Sequence, residues 1–291
     1  MSGSEAWGLL VLLASGFLAG GINAVAGGGT ILTFAVLSAI LPPDASRLVT
    51  ANVTSKIGLW PGAVAAAWAY RGSRDSQPTW ARWLVLPSGV GAVIGVVLLR
   101  VLPKESFDAV VPWLILLAAV LFAVQPQLTK IALAVVRRSR PAGEPSAAAG
   151  DPGRQASDRR ASLPMGRFAL VFALQFLVGI YGGYFGAGIG ILMLGTLALL
   201  GLGDVHSLNA SKNLLGAVVN GVAGLVLVAV AVGGGFGVSW LHVAILAAGS
   251  TAGGVVVSHV AQRLPAAVVR RLVSIIAFAL AGYHFWREWS G

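Results

Sequence analysis

The ionisable side chains decide what chemistry this chain can perform. Its ten carboxylates are Glu5, Asp44, Asp75, Glu105, Asp108, Glu144, Asp151, Asp158, Asp204 and Glu288, and each falls at the end of an apolar segment, in a loop or in a central polar stretch. None lies deep in a span, so an acidic relay for protons or cations is not available. Two lysines do lie within apolar segments. Lys56 is about a dozen residues from either end of segment 45–70, or roughly 18 Å from each interface along a helix. Lys212 is about a turn or two inside the end of segment 205–232. A charge at mid-membrane depth costs about 3 kcal/mol on insertion scales, and snorkelling does not reach far enough to relieve Lys56. With no carboxylate nearby, something else must offset that cost: a bound anion, a wet cavity, or backbone carbonyls at the ends of broken helices.

The remaining residues narrow the chemistry further. His206, His242, His259 and His284 make no metal-ligand spacing with one another or with a carboxylate, and their bland reading is interfacial. There is no cysteine, so thiolate chemistry and cysteine metal sites are excluded. No nucleophile elbow, P-loop or His-Glu-x-x-His pattern occurs. The sequence therefore predicts no enzyme activity, no metal and no cofactor.

The elements that must position the two lysines follow from composition. Hydrophobic residues make up 57% of the 291 residues, charged residues 10%, and mean hydropathy is +0.84, whereas a soluble domain carries about 25% charged residues. Such a chain cannot cover a water-facing surface. Apolar segments at 5–26, 29–41, 45–70, 81–102, 106–125, 166–185, 189–202, 205–232, 240–262 and 266–286 predict an all-α, polytopic transmembrane bundle embedded in a lipid bilayer. The net charge of +10 comes from basic residues lying mostly between these segments, where they set topology and do not point to nucleic acid. The stretch 127–165 holds Lys130, Arg137, Arg138, Arg140, Arg154, Arg159 and Arg160 among Pro, Gly, Ser and Ala. It reads as a disordered basic linker between repeats at 1–126 and 166–291.

The two repeats resemble each other. AGGINAVAGGGTIL at 19–32 and GIYGGYFGAGIGIL at 179–192 are Gly-rich breaks 160 residues apart. Ala51-Asn52 then aligns with Ala210-Ser211, Pro61-Gly62 with Asn220-Gly221, Ser88 to Gly91 with Ser250 to Gly253, and Leu102-Pro103 with Leu264-Pro265. The basic linker, the 71–82 loop and the 263–271 turn belong on the cytoplasmic side. Segment 5–41 would be about 55 Å long as one helix, so the Gly cluster must break it into a hairpin that begins and ends on one side; 166–202 does the same. Each repeat is then a Gly-broken hairpin plus three spans. The two are inverted in the inner membrane, with both termini outside the cytoplasm. A homo-oligomer is compatible with all of this.

The breaks bear on function as well. A helix restarting after Gly27-Gly28-Gly29 or after Gly186-Ala187-Gly188 presents free N–H groups and a positive dipole end in the membrane; the alternative is that these glycines only let helices pack closely. Asn23, Asn52, Thr54, Ser55, Tyr181, Tyr184, Asn209, Ser211, Asn213 and Asn220 lie near the breaks. Each can bind an oxyanion or hold helices together.

GGINAVAGGGTIL followed by LPPDASRLVTANVTSKIG resembles the first motif of the TauE/SafE family of sulfite exporters. GGYFGAGIGILML followed by NASKNLLGAVVNGVAG resembles that family's second motif. The resemblance covers nearly the whole chain outside the linker. It implies transport of sulfite, sulfoacetate or another small anion, and its second-half Ser-Lys falls on Ser211-Lys212. Thr50-Ala51-Asn52 departs by one residue from the family's Thr-Asn, and Lys56 matches no position of the pattern. The expected function is a small-anion exporter working by alternating access. Its substrate site combines Asn23, Gly27, Gly28, Gly29, Asn52, Lys56, Gly186, Gly188, Ser211 and Lys212. An importer or channel for another small anion, and a scaffold that transports nothing, are the other readings.

Overall fold

In a computed structural model, the described residues are 3–25, 27–44, 46–69, 79–138, 165–200 and 205–260, together with 274–275, 278–279, 281–282 and 286. Among them are ten helices: α1 (Gly3–Val25), α2 (Thr30–Ile40), α3 (Arg47–Ala69), α4 (Thr79–Trp83), α5 (Val85–Val101), α6 (Lys104–Arg138), α7 (Met165–Tyr184), α8 (Ile189–Ala198), α9 (Val205–Val232) and α10 (Trp240–Val260). Most of the span expected at 266–286 lies outside the described residues, as do the 71–78 loop and positions 139–164.

Among the described residues, six helices are long and apolar enough to cross a membrane, and less than half of each such stretch is buried. The rest, including Trp7, Leu86, Trp113, Leu177 and Leu225, faces outward, as lipid-facing surface does. Helix α3 is also 23 residues long but does not count among the six. Its polar run Asn52, Thr54, Ser55 and Lys56 is buried to 3% exposure or less, because α1, α2, α9 and α10 surround it.

Each hairpin takes the broken form that its glycines demand. A long helix, α1 or α7, is followed by a short one, α2 or α8, of 11 or 10 residues, about 15 Å long and half the hydrocarbon core. The short helix runs back beside the long one. A Cβ on Gly8 would touch Ile40, and Arg167 donates to the Leu199 carbonyl at 2.8 Å, so each hairpin returns to where it began.

The two halves exchange packing partners. Helix α1 packs along α10, α7 packs along α5, and α3 and α9 meet between them. The crossings use the same pairs of positions. A Cβ on Gly20 would strike Ser250 backbone and one on Gly253 would strike Phe17 backbone; Gly179 against Ser88 and Gly91 against Phe176 repeat the arrangement. Backbone-to-backbone approach of this kind is what small residues provide in membranes. The uncharged 233–239 loop lies beside Thr50 and Arg100, the N-terminal part of α3 and the C-terminal part of α5, so these three ends share one face.

One boundary differs from the expectation. Helix α6 continues to Arg138, twelve residues into the 127–165 stretch read from sequence as disordered linker. The segment QLTKIALAVVRR is rich in strong helix formers, and these carry the helix on past Pro126.

Candidate functional site

The two Gly-rich breaks meet. A Cβ on Gly27 would lie 2.6 Å from Gly190 Cα, and one on Gly28 would lie 3.0 Å from Gly188 N. Gly27 and Gly188 have φ of 71° and 74°, a region that residues with a Cβ reach only at a cost. Gly186 shares that conformation, with φ of 84°, and its amide donates to the Tyr181 carbonyl at 3.0 Å. Aromatic rings brace the junction: Phe34 stands edge-on to Phe185 at 5.4 Å, and Phe107 packs on Tyr184 at 5.5 Å.

The first break is closed by its own side chain. Asn23 Oδ1 accepts from the amides of Gly28 and Gly29 at 2.8 and 2.7 Å. The N–H groups expected to await an anion there are thus already engaged, with a side-chain carbonyl taking the anion's place. Gly29 itself lies against Ala19 backbone. Gly188 stands at the N-cap of α8 with no side-chain cap.

Helix α3 reaches across to the end of α7. Lys56 Nζ donates to the carbonyls of Gly182, at 2.8 Å, and Gly183, and Asn52 Nδ2 donates to the Tyr184 carbonyl at 2.9 Å. Of the offsets that the sequence left open for a buried Lys56, the structure shows the backbone carbonyls of a broken helix end. The opposite half makes a weaker version of this contact: Asn213 Nδ2 donates to the Ala24 carbonyl at 3.4 Å. Ser211 is fully buried and is not among the residues that line the cavity described next.

A cavity of about 30 Å³ lies beside the meeting point of the breaks, lined by Asn23, Gly27, Ala63, Ala66, Ile189, Gly190, Lys212, Asn213, Gly216, Ala217 and Asn220. In this measure a water needs about 10–15 Å³, so the space suits a compact ion. Lys212, 3% exposed, is the charged residue of the lining, which contains no carboxylate. Residues 212, 216 and 220 fall on one face of α9 at i, i+4 and i+8. Of the expected site residues, Asn23, Gly27 and Lys212 line this cavity. Gly28, Gly29, Gly186 and Gly188 build the junction, while Asn52 and Lys56 hold α3 to α7.

The sequence match decides the family. The model for "Sulfite exporter TauE/SafE" matches residues 12–284. The chain belongs to the TauE/SafE family. It is 27% identical, over 280 residues, to a protein of Sinorhizobium sp described as "Probable membrane transporter protein ORF9", covering 94% of this chain and 90% of that one. No solved structure matches it significantly. Family, relative and six apolar helices together make this TauE/SafE member a multi-pass membrane transport protein.

Some parts of the site gave no sequence signal as parts of one site. Gly190, Ala63, Ala66, Gly216 and Ala217 line the cavity only by being small. Asn213 and Asn220 stood among many polar residues, and the 212/216/220 spacing on α9 was the available clue.

Proposed function

We propose that this TauE/SafE protein carries a small anion, such as sulfite or an organosulfonate, out through the inner membrane by alternating access, and that the cavity at the junction of the breaks is its binding site. The observation carrying this reading is a buried lysine lining a cavity without carboxylates, between two broken helices. Lys212 supplies positive charge, Asn23, Asn213 and Asn220 supply amides, and the start of α8 at Ile189 and Gly190 adds the positive end of a helix dipole. Broken helices meeting near mid-membrane are where transporters of this plan hold their substrates.

Reciprocal packing of the two halves supports an inverted repeat in which either side of the junction can open. In the proposed orientation, with the basic linker cytoplasmic and the termini outside, an anion leaving a negative-inside cell gains about 2.3 kcal/mol per charge per 100 mV. The test is efflux of labelled sulfite or sulfoacetate from proteoliposomes under an imposed potential. The expected flux saturates with substrate, rises with inside-negative potential and is lost in Lys212→Ala. Flux that ignores the potential and depends strictly on a proton gradient would contradict the proposed drive.

A further inference from the structure

A helix that ends within a protein leaves four carbonyls without helical partners and carries partial negative charge. The last four carbonyls of α7 are those of Tyr181, Gly182, Gly183 and Tyr184. Tyr181 accepts from the amides of Phe185 and Gly186, Tyr184 accepts from Asn52, and Gly182 and Gly183 are left to one group, the Lys56 ammonium. The Lys56 amino group thus stands on carbonyl oxygens at the end of a broken helix, where a cation would sit. Unwound carbonyls and half-helix C-terminal ends are the groups with which broken-helix transporters coordinate a coupling cation.

We propose that the end of α7 is a monovalent-cation site which this protein fills permanently with the Lys56 ammonium, so that no mobile cation binds there during transport. Two observations fit. The donors are carbonyl oxygens, which replace the hydration shell of a small hard cation. Asn52 Oδ1, one turn before Lys56 on the same face of α3, is buried without a hydrogen-bond partner, leaving a further oxygen at the cradle where buried acceptors are ordinarily satisfied. This inference goes beyond the anion site and holds whichever anion is carried.

The test is thermal unfolding of the full chain in detergent, with chloride constant and Na⁺, K⁺, NH₄⁺ or choline as the cation. The unaltered protein should unfold at the same temperature in all four. Lys56→Ala should unfold earlier and be raised selectively by one small cation, by roughly 5 °C at a hundredfold excess over its Kd. Lys56→Met fills the same space without a charge and should show no such rise. A Lys56→Ala protein indifferent to the cation overturns the proposal, and so does a Lys56→Met protein that responds equally. Should Lys56→Ala aggregate on extraction, Lys56→Ser opens the same gap and its response decides in the same two ways.

Discussion

The C-terminal ends of α1 and α7 occupy corresponding places in the two halves but are finished differently. At α7, Lys56 and Asn52 from α3 take three consecutive carbonyls, and the end is closed. At α1, Asn213 makes one long contact to Ala24, and a cavity remains beside it. The first break compensates from within, through Asn23 on the amides of Gly28 and Gly29. A repeat thus supplies two similar junctions: one is sealed by side chains from the other half, while the other keeps a cavity lined by Lys212.

Substitutions can break this comparison. The largest effect should come from Gly27→Ala, which adds the cost of a left-handed conformation, about 1–2 kcal/mol, to a collision with the Gly190 backbone. Gly188→Ala shares the conformation but meets Leu121 at an ordinary 3.5 Å, so it should cost only that first amount. Thermal midpoints of the two variants check the difference. Next is Lys56→Met, which leaves two buried carbonyls unpartnered at about 1–3 kcal/mol each and should lower the same midpoint.

Smaller effects sharpen the same contrast. Asn52→Ala removes a 2.9 Å bond and Asn213→Ala a 3.4 Å one, so the first should cost about 1 kcal/mol and the second less, as compared midpoints would show. The smallest belongs to Asp44, away from both ends. Its carboxyl is held below the ordinary 3.8 by hydrogen bonds from the Ser46 hydroxyl and then the Ser46 amide. A depressed folded-state pKa means stability present above 3.8 and lost as pH falls through the lowered value. Asp44→Asn should therefore lower the midpoint slightly near neutral pH and converge with the unaltered protein in strong acid.

Much of the fold is legible in the residues themselves. Apolar length gives the spans, and clustered glycine gives the hairpins, because Gly27 and Gly188 need conformations that other residues reach only at a cost. The Ser88/Ser250 and Gly91/Gly253 alignment lands on matching helix crossings. The depth of Lys56 shows that it requires a partner. Which partner could not be read, since Gly182 and Gly183 offer only main-chain carbonyls, which every residue carries, and they come from the other half of the chain.

The central claim is that Lys212, and not Lys56, belongs to the anion site. The most direct measurement is the thermal midpoint of the unaltered protein, Lys212→Ala and Lys56→Met against sulfite, sulfate, thiosulfate, sulfoacetate, acetate and chloride at matched ionic strength. A selective rise with one sulfur oxyanion, lost in Lys212→Ala and retained from a lower baseline in Lys56→Met, is the predicted result. A rise that survives Lys212→Ala and disappears in Lys56→Met would contradict the account and place the anion at the end of α7.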